Sequence, residues 1–108
     1  VKSPAIFQKK AIIFRLLGSE KSLSDFLFES SAETILRESP AALLADSWEL
    51  TFEQQILVRA SLDIWNGSGN VFLWELLRLS EKNFSRLLVA LNQYRKLERP
   101  VEFKNDQQ

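Results

Sequence analysis

The sequence predicts an all-α fold, a single irregular (orthogonal) bundle of six to seven mostly short helices. Three observations point there. Apolar residues recur at helical spacing, most cleanly as Phe84, Leu87, Leu88, Leu91 and Tyr94. No segment alternates apolar and polar side chains for long enough to suggest a sheet. The breaks between apolar segments are Ser-Pro, Thr-x-x-Gln and Gly-Ser-Gly, residue types that start and stop helices because they satisfy or release terminal backbone groups. A chain of 108 residues, 45% apolar, can build one core but not two. Residues 1–103 are therefore read as one helical domain and 104–108 as a disordered tail.

Taken in order, Ser3 and Pro4 suit the N-cap and first turn of a helix that stops at Gly18. Ile6, Phe7, Ile13, Phe14 and Leu17 share one side of it. Ile12 and Leu16 widen that side beyond an ordinary core stripe, and Lys9 and Lys10 beside it would have to snorkel. Ser22 or Ser24 is expected to cap a short helix containing Leu23, Phe26, Leu27 and Phe28, and 31–34 to open another with Ile35 and Leu36. Ser39-Pro40 restarts the chain as N-cap and first helical residue, with Leu43, Leu44 and Trp48 following. Thr51-Phe-Glu-Gln54 reads as a capping box. The helix it opens carries apolar residues on several faces, as a central helix does, and Gly67-Ser-Gly69 ends it. A very apolar helix is expected over Val71–Leu79, interrupted only by Glu75 and Arg78. Ser80 then caps a last helix from Glu81 to about Leu97, before Pro100.

Composition removes several function classes. The chain has no Cys, so no disulfide and no thiolate metal site, and no His, the commonest general base and transition-metal ligand. Net charge is zero but unevenly spread. Lys2, Lys9, Lys10, Arg15 and Lys21 face a single Glu20 in residues 1–21, whereas seven acids face only Arg37 in residues 22–54. A basic first helix packed on an acidic middle accounts for this pattern. No apolar run approaches a membrane span, the first residues lack the pattern of a signal peptide, and a cytoplasmic protein is expected.

The stretch Asp63–Glu75 comes close to a calcium loop. With Gly69 at the sixth position of an EF-hand loop, Asn66, Ser68, Val71 and Glu75 fall on positions 3, 5, 8 and 12. Position 1, however, is Ile64, which has no ligand oxygen, and Asp63 lies one residue too early. The loop is therefore read as a helix–turn–helix hairpin without metal, with Gly67 and Gly69 as turn residues. Asp25, Glu29 and Glu33 are spaced four apart, but nothing completes a catalytic site around them, and no partner is evident to activate a nucleophilic Ser. No enzyme activity and no cofactor are expected. Trp48, Trp65 and Trp74 are read as core rather than pocket residues.

Two functional readings remain. The first is a non-catalytic protein-interaction module, self-associating or binding a protein partner through an apolar helix surface. Its contact residues would be Ile12, Leu16, Phe72, Leu73 and Leu79, because both helices carry more apolar circumference than one neighbour can cover. The alternative is a small helix-turn-helix-like DNA-binding regulator that presents Lys82, Arg86, Asn92, Gln93 and Lys96 on its last helix. Zero net charge disfavours the alternative, since phosphate neutralisation dominates DNA affinity.

Overall fold

A computed structural model describes residues 4–18, 21–28 and 36–98. The expected Ser3 cap, the short helix opened by 31–34, the stop at Pro100 and the tail 104–108 lie outside them. The described elements are α1 (Pro4–Leu17), α2 (Lys21–Leu27), α3 (Pro40–Asp46), a 3₁₀ turn (Ser47–Glu49), α4 (Phe52–Asn66), a one-turn α5 (Leu73–Leu76) and α6 (Glu81–Glu98). The one strand-like feature among them is an antiparallel bridge between Phe28 and Leu36.

The helix ends follow local chemistry. Ser39 accepts the Ala42 N–H at 3.2 Å, with Pro40 at the first helical position. Thr51 and Gln54 form the reciprocal capping box, each bond 3.1 Å. Gly67 closes α4 with φ 79°, a left-handed angle that a side chain would strain. Ser80 accepts the Asn83 N–H at the start of α6. Ser22 and Ser24 do not cap α2, because the helix begins before both, at Lys21.

α4 runs through the centre. Ile56, Leu57, Val58, Ala60, Leu62 and Ile64 are all buried, although they point in different directions around the helix. α1 packs against α2, α4 and α6. Three neighbours explain the wide apolar arc of α1: Ile12, Ile13, Leu16 and Leu17 are all core. Lys10 is buried with them and does not snorkel; its ammonium lies 5.5 Å from the centroid of Phe14 and 5.0 Å from that of Phe28. Phe28 meets Phe14 and Trp65 edge to face, at 5.7 and 5.3 Å between centroids. Lys9 pairs with Glu98 of α6 and donates to the Trp65 carbonyl.

Three further sequence expectations are overturned. The helix expected over Val71–Leu79 is one turn only. Phe72 is extended (φ −97°, ψ 149°), because the N–H groups of Val71 and Phe72 are taken by the side chains of Asp63 and Glu75. Beyond Leu76 the chain closes through three-residue turns, Arg78 N–H to Glu75 O and Leu79 N–H to Leu76 O. Next, α6 keeps only part of its expected face inward: Phe84, Leu87 and Tyr94 pack on the core with Ala90, while Leu88 is 51% and Leu91 39% exposed. The helix turns toward α1, its most extensive neighbour, and lays the Arg86 guanidinium over Gly18, whose φ of 68° is left-handed. Lastly, Trp48 (79% exposed) and Trp74 (56%) stand outside the core, and Trp65 alone of the three is built into it.

Candidate functional site: a locked turn carrying an exposed apolar ridge

The chain between α4 and α5 is held by side chains from both. One oxygen of the Asp63 carboxylate accepts the N–H groups of Gly69 (2.8 Å) and Asn70 (3.0 Å); the other accepts that of Val71 (3.0 Å). Arg59, one turn earlier on α4, fills the other half of the loop. Its guanidinium donates to the Gly69 carbonyl (3.2 Å), the Asn70 carbonyl (2.6 Å) and the Glu75 carboxylate (2.8 Å). The second Glu75 oxygen accepts the Phe72 N–H at 2.9 Å. A Cβ at residue 69 would collide with the Arg59 backbone carbonyl, so only glycine lets the turn lie this close to α4. Asn70 adopts φ 54°, a left-handed angle that Asn tolerates better than most residues.

Electrostatics reinforce the lock. Burial pushes the Glu75 carboxyl upward, but the Arg59 hydrogen bond, the Phe72 N–H and the Arg59 charge outweigh it and hold the group below the ordinary 4.5. Glu53 ties the far end of the segment, accepting the Ser80 N–H (2.8 Å) and the Asn83 side-chain amide (2.6 Å). The Asn83 and Ser80 bonds lower its pKa against a smaller effect of burial. Tyr94 is shifted upward by burial and then by the charges of Glu98 and Asp63.

Fixed between these anchors is a run of exposed apolar side chains: Phe72 (58%), Leu73 (78%), Trp74 (56%) and Leu77 (69%). Arg78 extends it toward α4 by lying over the exposed Phe52 ring, 5.7 Å from its centroid.

Of the residues nominated for partner contact, Phe72 and Leu73 lie on this ridge. Ile12, Leu16 and Leu79 do not; they are 5%, 0% and 7% exposed and face the core, so no partner reaches them in this fold. Trp74 and Leu77 were missed because a regular helix over Val71–Leu79 would have hidden part of that segment. The DNA-reading set is divided too. Lys82, Asn92 and Lys96 are exposed, but Arg86 lies over Gly18 and Gln93 turns into a groove beside Ile12 and Arg15 of α1. Glu29 and Glu33 lie outside the described residues. Among those described, no group of three or more acidic side chains is placed to hold a metal ion, and no helix is long and apolar enough to cross a membrane.

The near-miss to a calcium loop now has a structural account. Asp63, out of step as a metal ligand, is in step to receive three consecutive backbone N–H groups, and Glu75 faces a guanidinium. The chain matches no protein-family model, and neither the curated proteins nor the solved structures contain a match to it.

Proposed function

We propose that the protein is a non-catalytic interaction module whose contact element is the ridge Phe72–Leu77. The observation that carries this is the coexistence of exposure and rigidity. Four large apolar side chains stand more than half exposed within six residues, on backbone fixed by Asp63, Arg59 and Glu75. Exposed apolar groups cost solubility, and a contiguous patch of them marks an interaction surface on soluble proteins. Rigid aromatic anchors lose little entropy on binding, which is why Trp and Phe dominate interface cores. The lack of His and Cys, the commonest general base and the strongest side-chain nucleophile, supports the non-catalytic part of the reading.

The test is site-specific photo-crosslinking in cells. A photoreactive residue at Leu73 should give one discrete adduct, of twice the chain mass for a homodimer or of another mass for a different protein. The same residue at exposed Lys82 should not, and Trp74→Asp should remove the Leu73 adduct while leaving the helical content unchanged. Equal adducts from Leu73 and Lys82, or none from Leu73, would refute the assignment.

A further inference from the structure

Between α1 and α6 runs a groove of about 370 Å³, within the size range of small-molecule sites. No residue of the ridge lines it. Ala11, Ile12 and Leu97 give it an apolar lining, and its polar side chains are those of Gln8, Arg15, Gln93 and Lys96. We propose that this groove binds a small amphipathic carboxylate, an alkyl or aryl body ending in one carboxyl group. The site goes beyond the interaction reading above, and neither depends on the other.

Charge selects the head group. Two cations and no acid line the groove. Among the described residues Arg15 and Lys96 have no carboxylate partner, and Glu98, close after Lys96 in the chain, pairs with Lys9 at 3.7 Å instead. Gln93 points the same way. Its Oε1 is buried and accepts no hydrogen bond, so the end of this amide left to face the groove is the donating Nε2. The groove thus offers donors to an anion, and the planar fork of Arg15 matches a carboxylate in particular. The apolar lining selects the rest of the ligand. Bare phosphate would satisfy the cations but leave Ala11, Ile12 and Leu97 against water, whereas an alkyl chain or ring covers them. A peptide fits less well. Both walls are helices, whose backbone groups are bonded within the helix, and the Gln93 acceptor is out of reach. Peptide N–H groups brought here would lose water and find few partners.

The experiment titrates the full chain with octanoate and follows NMR signals of the Gln93 side-chain amide, the Arg15 Nε–H and the methyl groups of Ala11, Ile12 and Leu97. Saturable shifts at these groups are expected. Octanol keeps the body without the charge, inorganic phosphate keeps the charge without the body, and N-acetyl-leucine presents a peptide terminus. Each should bind at least about tenfold more weakly than octanoate. Arg15→Gln and Lys96→Gln should each weaken octanoate at least about fivefold and leave octanol unchanged. Ala11→Phe, which fills the groove without touching its charges, should abolish binding. All three positions are exposed, so the variants keep the fold. Lys82→Gln, an exposed cation outside the groove, and Trp74→Asp on the ridge should change nothing. Octanol binding as tightly as octanoate would mean apolar adsorption, and phosphate binding as tightly would mean an adventitious ion only. Tighter binding of N-acetyl-leucine would mean a peptide site. Each of these overturns the proposal. So do octanoate shifts centred on Phe72–Leu77, shifts indifferent to Arg15→Gln, Lys96→Gln and Ala11→Phe, or a failure to saturate.

Discussion

Breaking the Arg59–Glu75 pair from either side should destabilise the protein more than removing both members. The guanidinium and carboxylate are 2.8 Å apart, with side chains 22% and 8% exposed. Removing one partner of a fully buried pair costs ~3–5 kcal/mol, because the survivor stays charged and out of water. Arg59 reaches solvent and keeps two carbonyl acceptors, so the estimate for each of Arg59→Met and Glu75→Leu falls to about 2–3 kcal/mol. The double variant carries no stranded charge and should lose only about 1–2 kcal/mol. Urea unfolding of the four proteins measures this directly, and the double variant should fall at least about 2 kcal/mol short of the summed single losses. Acid provides a second check. Glu75 is depressed below 4.5 in the folded state, so its contribution is complete above the unfolded value and disappears as pH falls through the folded one. Wild type should therefore separate fully from Glu75→Gln in stability above the ordinary carboxylate value and converge on it as pH falls through the lowered folded one. Additive single losses, or a gap between these two proteins that does not change with pH, would refute the view that this pair holds the turn.

Three further outcomes follow from the same geometry. Gly67→Ala meets only a backbone penalty at φ 79° and should cost about 1 kcal/mol by thermal unfolding, whereas Gly69→Ala collides with the Arg59 carbonyl and should cost about 3 kcal/mol or more. Leu16→Glu should abolish the cooperative transition, because it places a carboxylate where the wild-type side chain is 0% exposed, while Phe72→Glu should stay folded and change stability by less than about 1 kcal/mol. Leu87→Ala should cost about 2–5 kcal/mol, against at most about 0.5 kcal/mol for exposed Lys96→Ala; equal melting shifts would mean that α6 faces the other way.

The sequence was most legible where an interaction closes within a few residues. Ser39-Pro40, Thr51 with Gln54, Ser80 and Gly67 each satisfy helix-end groups on their own segment, so their roles could be read without knowing any neighbour. The several-sided apolar pattern of α4 likewise declared a central helix. Facing was less legible. Which arc of α6 turns inward depends on where α1 lies, and Leu88 and Leu91 are as apolar as Leu87. The surplus on α1 resembled an interface only because its number of neighbours could not be counted in advance. At the candidate site, Phe72 and Leu73 were picked out by apolar density alone. Arg59 was missed entirely: its partners Gly69, Asn70 and Glu75 lie 10 to 16 residues away, and two of the three are backbone carbonyls, which leave no mark in a sequence. A clue lay in the unexplained order of Asp63 and Glu75 around the glycines.

The guanidinium of Arg59 gathers two backbone carbonyl oxygens and a glutamate carboxylate, the ligand types that a hard metal ion collects in a loop of this kind. The difference is the tether. A metal ion exchanges with the medium, so the loop around it reports the ion's concentration. A cation on a side chain of α4 arrives with the chain and cannot be chelated, diluted or replaced. Such a loop behaves as a strut where an ion-filled loop would behave as a gauge. Its order is set once, by folding, and a partner of Phe72–Leu77 would meet it in a shape that no change in metal-ion concentration withdraws.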